Sequence, residues 1–266
     1  MERIGLIAGN GQFPLVFAKA AKLKGLEVIA VAHKDETKPE LANFVARIHW
    51  VRVGELGKLI KIFKDEGITN AVMAGGITKT KVFGNVWPDM RAIRLISKIR
   101  YLKDDGILRA LAAELEKEGI AIQESTLYLS SILASKGILS KRKPTAKEMR
   151  DIEFAYTIAK EIGRLDIGQC VVAKDQCILA IEAIEGTDET IRRGGILGKG
   201  NVVVVKVSKP HQDMRFDVPA VGERTIETMR EVGGSCLAIE AGKTIIFDRE
   251  EMIKLANKFN ICVIGI

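Results

Sequence analysis

Ile4-Gly5-Leu6-Ile7-Ala8-Gly9-Asn10-Gly11-Gln12-Phe13-Pro14 reads as a short apolar strand, a glycine-rich turn and the opening of a helix. Proline is at home in a first helical turn, because the N–H groups there have no intrahelical partner. The helical pattern runs over 14–24, and a second strand follows at 28–32. Leu56, Leu59, Ile60 and Phe63 fall at i, i+3, i+4 and i+7, which predicts a helix over 55–66 with one apolar face. An apolar strand at 71–74 ends in Gly75-Gly76, and a helix at 105–117 and a strand at 120–122 close this half. Strands separated by helices of this length make βαβ units and a mainly parallel sheet. The first half is therefore expected to be a Rossmann-like α/β domain, residues 1–134.

Lys136-Gly-Ile-Leu-Ser-Lys-Arg-Lys-Pro144 combines glycine, serine, proline and four positive charges, so 135–145 reads as a linker. Thr145, with Glu148 three residues on, makes a capping box for a helix over 146–165. Strands at 170–173 and 177–182 flank the turn Lys174-Asp175-Gln176. The valine-rich run 202–207 suits a strand buried on both faces, and helices follow at 222–231 and 249–260. Residues 146–266 are thus expected to form a second, mixed α/β domain, with a ligand cleft between the two domains.

At 266 residues, with 47% hydrophobic and 28% charged, the chain has the composition of a packed two-domain protein. Aromatics are only 5%, which argues against base stacking on nucleic acid. No apolar run reaches the roughly 20 residues that span a bilayer, and the chain enters its first strand without a signal-peptide pattern. The expectation is a cytoplasmic protein. The four cysteines form no CxxC pair, and with three histidines they make a zinc site improbable in composition; buried thiols are expected. A net charge of +7 favours anionic partners of any kind.

Several stretches can carry chemistry. Gly9, Asn10 and Gly11 open a helix after a strand, where backbone N–H groups can meet a phosphate. The dinucleotide fingerprint would have Gly or Ala at Pro14, although Asp35 stands beyond the second strand where an acidic ribose ligand would be. Gly75 and Gly76 lie at the carboxyl end of a strand, where open α/β sheets bind ligands. The segment 194–200 lacks the P-loop spacing around Gly198-Lys199 and reads as a flexible surface loop. Asp104 and Asp105 cap a helix or hold a hard cation. Two glycine-bearing polar corners, Gly163-Arg-Leu-Asp166-Ile-Gly-Gln169 and Glu185-Gly-Thr187-Asp188, sit at strand ends. Most unusual is Lys206-Val-Ser-Lys209-Pro-His211-Gln-Asp213-Met-Arg215-Phe-Asp217-Val-Pro219-Ala-Val-Gly222. It follows the most apolar strand, is bracketed by prolines and is dense in charge, as rigidly held functional loops are.

Arg215-Phe-Asp217-Val-Pro219-Ala-Val-Gly222, the two polar corners, Ile7-Ala-Gly9-Asn-Gly11 and Asp104-Asp105-Gly-Ile-Leu-Arg109 together resemble the LpxI family over nearly the whole chain. These are UDP-2,3-diacylglucosamine pyrophosphatases of Gram-negative bacteria, acting in lipid A biosynthesis. The resemblance implies Mg²⁺-dependent hydrolysis to 2,3-diacylglucosamine 1-phosphate (lipid X) and UMP. It implies an essential carboxylate at Asp217, as metal ligand or as base to the water. Asp213 and Asp105 are the further metal candidates. Gly9, Asn10, Gly11, Gly75, Gly76, Asp166, Gln169, Thr187, Asp188, Lys209 and Arg215 are the substrate-binding candidates. Such an enzyme would meet its acylated substrate at the anionic inner-membrane surface. No nucleic-acid partner is expected, and the sequence leaves open a monomer or a homo-oligomer. The chain has no DxH, GDxxD or GNHD motif of two-metal phosphoesterases and no Nudix box.

Two other readings compete. An NAD(P)-dependent oxidoreductase would use the Gly9–Gly11 turn and not need Asp217. A non-catalytic nucleotide- or lipid-binding protein would bind without turnover.

Overall fold

The computed structural model describes residues 2–77, 88–97, 104–210, 212–216 and 218–266, with only the backbone of Asp104 and Asp105. The chain divides into two units, Met1–Leu129 with Asp213–Asp217, and Ser130–Gln212 with Val218–Ile266.

The first unit is a parallel sheet between two helical layers. Its strands are β1 (Arg3–Ala8), β2 (Glu27–His33), β3 (Arg47–Val51), β4 (Asn70–Ala74) and β5 (Ala121–Gln123), ordered β3-β2-β1-β4-β5 with every pair parallel. Alternate residues of each strand enter opposite cores. Ile4, Leu6 and Ala8 meet Phe17, Ala18 and Ala21 of α1 (Phe13–Leu23). Ile7, Ile29, Val31 and Met73 meet the Leu56, Leu59, Ile60, Phe63 face of α2 (Leu56–Asp65). Ala92 of α3 (Met90–Ile96) and Ala112 and Leu115 of α4 (Asp104–Lys117) complete that second layer. Covering on both faces explains why these strands are continuous apolar runs. Rossmann-like order follows, with strand order reversing between β1 and β4.

The second unit holds a mixed sheet ordered β6-β13-β11-β9-β7-β8. Its strands are β6 (Gly137–Ile138), β7 (Cys170–Lys174), β8 (Cys177–Ile181), β9 (Val203–Lys206), β11 (Cys236–Ile239) and β13 (Cys262–Gly265). A two-stranded piece pairs β10 (Ala220–Val221) with β12 (Ile245–Ile246). α5 (Ala146–Arg164) covers one face through Ile152, Ala155, Ala159 and Ile162. The other face carries α6 (Thr187–Gly198), α7 (Glu223–Glu231) and α8 (Arg249–Lys258), through Ile191, Ile226, Met229, Met252 and Ala256. The Thr145 capping box is present: its hydroxyl accepts from the Glu148 N–H at 3.2 Å, and Glu148 Oε2 accepts from the Thr145 N–H at 2.8 Å.

Three sequence expectations change. Residues 135–145 are not a free linker, and the division falls at 129/130 rather than at 134. β6 pairs antiparallel with β13, Leu139 N–H donates to the Val263 carbonyl at 2.9 Å, and Ser140 Oγ accepts from Val263 N–H at 2.8 Å. Basic, proline-bearing composition hides backbone pairing of this kind, because the partner strand lies more than a hundred residues away. The glycines at 194, 195 and 198 are buried in α6 and not in a flexible loop; Cβ atoms there would run into Val172, Val232 and Val202. They let α6 lie against the sheet and its neighbours. Cys170, Cys236 and Cys262 are buried thiols, but Cys177 is exposed.

Candidate functional site

In the first unit, the two glycine turns meet at the reversal of strand order. Gly9 N–H donates to the Ala74 carbonyl at 2.8 Å, and Asn10 N–H to the Gly76 carbonyl at 2.7 Å. A Cβ on Gly75 would run into the Asn10 carbonyl oxygen, so the two turns touch backbone to backbone. Gly11 has φ +84° and open space around its Cβ position. A second carboxylate, Glu36, stands beside Asp35 at this corner. Glu36 is buried and accepts from Asn10 Nδ2 at 3.0 Å, while Asp35 turns the chain at φ +65°. His33 Nδ1 lies 2.9 Å from the Ala8 carbonyl, so that nitrogen carries the proton. Burial pushes the His33 pKa down, against that hydrogen bond and the nearby Glu36 charge, and the ring is neutral at neutral pH.

The polar stretch after β9 is shared between the units. Lys209 Nζ donates to Asp166 Oδ1 at 2.7 Å, with Asp166 at φ +59°. From Asp213 the chain belongs to the first unit. There Ser125 N–H donates to the Met214 carbonyl at 3.0 Å, and Phe216 packs against the α2 and α4 core. Arg215 grips Asp213 with two bonds, Nε to Oδ1 at 2.9 Å and Nη2 to Oδ2 at 2.8 Å, and reaches Glu116 of α4 at 3.1 Å. Arg109 Nε stands 3.7 Å from Asp213 Oδ2. The Arg215 guanidinium holds the Asp213 carboxyl below its usual range. Asp217 and His211 lie outside the described residues, as does the side chain of Asp105.

In the second unit, Gln169, Glu182, Thr187 and Lys206 form one network. Gln169 N–H donates to Glu182 Oε2 at 3.0 Å, and Thr187 Oγ1 donates to Glu182 Oε1 at 2.6 Å. Lys206 Nζ then donates to Thr187 Oγ1 at 3.0 Å and to the Ala220 carbonyl at 2.8 Å. Asp188 pairs with Arg224 at 2.7 Å. Gln169 Oε1 is buried and lacks a hydrogen-bond partner among the described residues. Sequence reading brings out Gln169, Thr187 and Asp188 as candidates and Lys206 only as the start of the polar stretch, and it passes over Glu182. Lys206 ends β9 and Glu182 directly follows β8; a charge at a strand's carboxyl end is the signal that points to them.

The described residues hold no group of three His, Cys, Asp or Glu side chains placed to bind a metal. Mg²⁺ does not demand one, since it takes one or two carboxylates plus water and substrate phosphates. Asp213 fits that role poorly, with both oxygens already held by Arg215.

Two α/β units, a Rossmann-like one with glycine turns at its switch point and a mixed one with a charged network at a strand end, define a two-domain α/β protein. Residues 3–132 match the LpxI N-terminal domain and residues 135–264 the LpxI C-terminal domain, and the chain belongs to the LpxI family. It is 32% identical over 277 residues to the UDP-2,3-diacylglucosamine pyrophosphatase LpxI of Caulobacter vibrioides, covering 100% of this chain and 98% of that one. The bifunctional purine biosynthesis protein PurH of Caldicellulosiruptor bescii is 30% identical over 132 residues, 48% of this chain and 22% of that protein. Among solved structures, the biotin carboxylase domain of the Hydrogenobacter thermophilus 2-oxoglutarate carboxylase aligns at 13% identity and TM-score 0.28, over 65% of this chain and 35% of that one.

Proposed function

We propose that this chain hydrolyses the pyrophosphate bond of UDP-2,3-diacylglucosamine, releasing UMP and 2,3-diacylglucosamine 1-phosphate (lipid X), in lipid A biosynthesis. The observation that carries the proposal is the end-to-end similarity to the Caulobacter vibrioides pyrophosphatase, with both halves matching their LpxI domains.

The chemistry needs charge neutralisation at the phosphoryl oxygens and an oriented water. Mg²⁺, when bound, supplies part of that neutralisation. In this proposal Asp217 and Asp105 hold it together with the substrate phosphates, and Asp217 is its ligand or the base to the water. Asp213 is then assigned to orienting Arg215. Lys209 and Arg215 precede Asp217 in the same polar stretch, and each is ion-paired, to Asp166 and to Asp213. Substrate phosphates would compete for them with these carboxylates. The glycine turns at 9–11 and 75–76 meet at a strand-order reversal, where open α/β sheets bind ligands, with the Gly9 and Asn10 N–H groups joining the two turns. No helix of the described residues is long and apolar enough to cross a membrane. Contact with the cytoplasmic face of the inner membrane is proposed through the net charge of +7.

The test is UMP release from UDP-2,3-diacylglucosamine by the purified chain with Mg²⁺, with EDTA, and with Asp217→Ala. Release that EDTA and the substitution both abolish is expected. No release from the unaltered chain would overturn the activity; release that survives Asp217→Ala would overturn only the site assignment.

A further inference from the structure

A cavity of about 340 Å³ lies wholly within the second unit, lined by Gly186, Thr187, Asp188, Lys206, Ala220 and Arg224 among others. Lys206 is its most unusual wall. It ends the central strand β9 and is only 7% exposed, yet no carboxylate contacts its ammonium among the described residues. A buried ammonium without a counter-charge is costly, and such groups are normally paired. An ammonium also has three donors; here one goes to Thr187 Oγ1 and one to the Ala220 carbonyl. Three carboxylates, Glu185, Asp188 and Glu189, also line the cavity, and each is ion-paired to an arginine. Glu185 pairs with Arg193 at 2.6 Å, Glu189 with Arg192 and Asp188 with Arg224. Glu182 reaches Lys206 only through the Thr187 hydroxyl, which donates to Glu182 and accepts from Lys206. That relay fixes the ammonium of a residue that lines the cavity.

Two helices add to this. The cavity wall includes the first turns of α6, at Gly186, Thr187, Asp188 and Glu189, and of α7, at Arg224 and Thr225. N–H groups of a first helical turn have no intrahelical acceptor and carry the positive end of the helix dipole.

We propose that this cavity is a subsite for a tetrahedral oxyanion of the phosphoryl class. Lys206 is its charge, Arg224 a second cation at its rim for which the oxyanion competes with Asp188, and Thr187 the residue that orients Lys206. The inference deepens the pyrophosphatase reading, on which it rests only for the identity of the phosphoryl group, one of those of the substrate or of UMP.

The experiment titrates inorganic phosphate, and separately UMP, into the full chain by calorimetry, with UMP release from UDP-2,3-diacylglucosamine measured in parallel. Saturable phosphate binding is expected. Lys206→Met should weaken it about tenfold or more, the loss expected for one charge-assisted bond. Arg224→Glu alters an exposed side chain and decides the matter where Lys206→Met does not fold, as judged by circular dichroism; it too should weaken phosphate binding. UMP that binds with the same sensitivity to both substitutions identifies the nucleotide phosphate as the occupant; UMP binding insensitive to them leaves the sugar-side phosphate. Phosphate binding without UMP release would keep the subsite and remove the pyrophosphatase reading. Absent phosphate binding, or affinities and KM unchanged in the folded variants, would overturn the subsite and leave that reading standing.

Discussion

Gly9 lies so close to Gly76 that it has no room for a side chain: a Cβ on Gly9 would overlap the Gly76 carbonyl oxygen and come within 2.9 Å of the Gly75 backbone. Adjacent parallel strands β1 and β4 deliver these turns to the same point, and the 2.8 Å bond from Gly9 N–H to Ala74 ties them. Gly9→Ala must push the turns apart and should cost about 1–3 kcal/mol, the range for overpacking. Gly11→Ala meets open space and only the penalty of its φ of +84°, about 1 kcal/mol. Urea denaturation of both variants checks the order. A Gly11 variant less stable than the Gly9 variant would show that steric contact is not what selects glycine at position 9.

Asp166 holds Lys209 at 2.7 Å from a left-handed turn, φ +59°. Asn tolerates that backbone, so Asp166→Asn removes the charge and little else. Both side chains are partly exposed, and stability should change by no more than about 1 kcal/mol. Lys209, released from its carboxylate, should then meet substrate phosphates more readily, so KM should fall or hold while Lys209→Met raises it. Equal KM values in all three proteins would remove Lys209 from the binding site.

The first unit is legible in sequence because its strands are covered on both faces and so appear as unbroken apolar runs. β3 escapes for the opposite reason: Arg47, His49 and Trp50 mark a half-buried edge strand with no such run. The helix α6 escapes because Gly194, Gly195 and Gly198 are poor helix formers, and only packing against Val172, Val232 and Val202 selects them. The same limit governs the site. Composition singles out Lys209 to Gly222 as a functional loop, but nothing local says that Asp213, Met214, Arg215 and Phe216 pack with residues about ninety to a hundred positions earlier. Glu36 is tied to Asn10, 26 residues earlier, and Lys206 to Thr187, 19 residues earlier, and no local pattern shows either pairing.

Asp213 is a positioning residue if its two bonds to Arg215 are its function, and a metal ligand if they are not. The two roles predict different kinetics. Asp213→Asn should reduce kcat/KM roughly tenfold, on the scale of a lost charge-assisted pair of about 1.5–3 kcal/mol. The Mg²⁺ concentration for half-maximal activity should stay within about twofold of the unaltered value, because neutralising Asp213 removes no metal ligand. Arg215→Lys should resemble Asp213→Asn, since a lysine cannot reproduce the bidentate grip. A Mg²⁺ requirement raised tenfold or more in Asp213→Asn would instead place that carboxylate on the metal.

Glu240 anchors the start of the same loop and should make it acid-sensitive. Its buried carboxylate accepts from Ser208 N–H at 2.8 Å and pairs with Lys160 and Lys243, each at 2.9 Å. Lys160 also donates to the Ser208 carbonyl at 2.8 Å, so both polar groups of that backbone are held. Burial alone would raise the Glu240 pKa, but the two ammonium groups and the amide outweigh it, and the folded carboxyl titrates below its ordinary value. The unfolded chain then takes up this proton at higher pH than the folded one does. The stabilisation is complete above the unfolded pKa of about 4.3 and fades as pH falls through the lower folded value. Glu240→Gln leaves Lys160 partly buried without its counter-charge and should cost about 3 kcal/mol at pH 7. Urea denaturation of both proteins at neutral pH and at about pH 3.5 measures the difference, which should shrink at the lower pH. A gap that is constant between the two conditions would mean that Glu240 acts through its shape and hydrogen bonds, with no contribution from its charge.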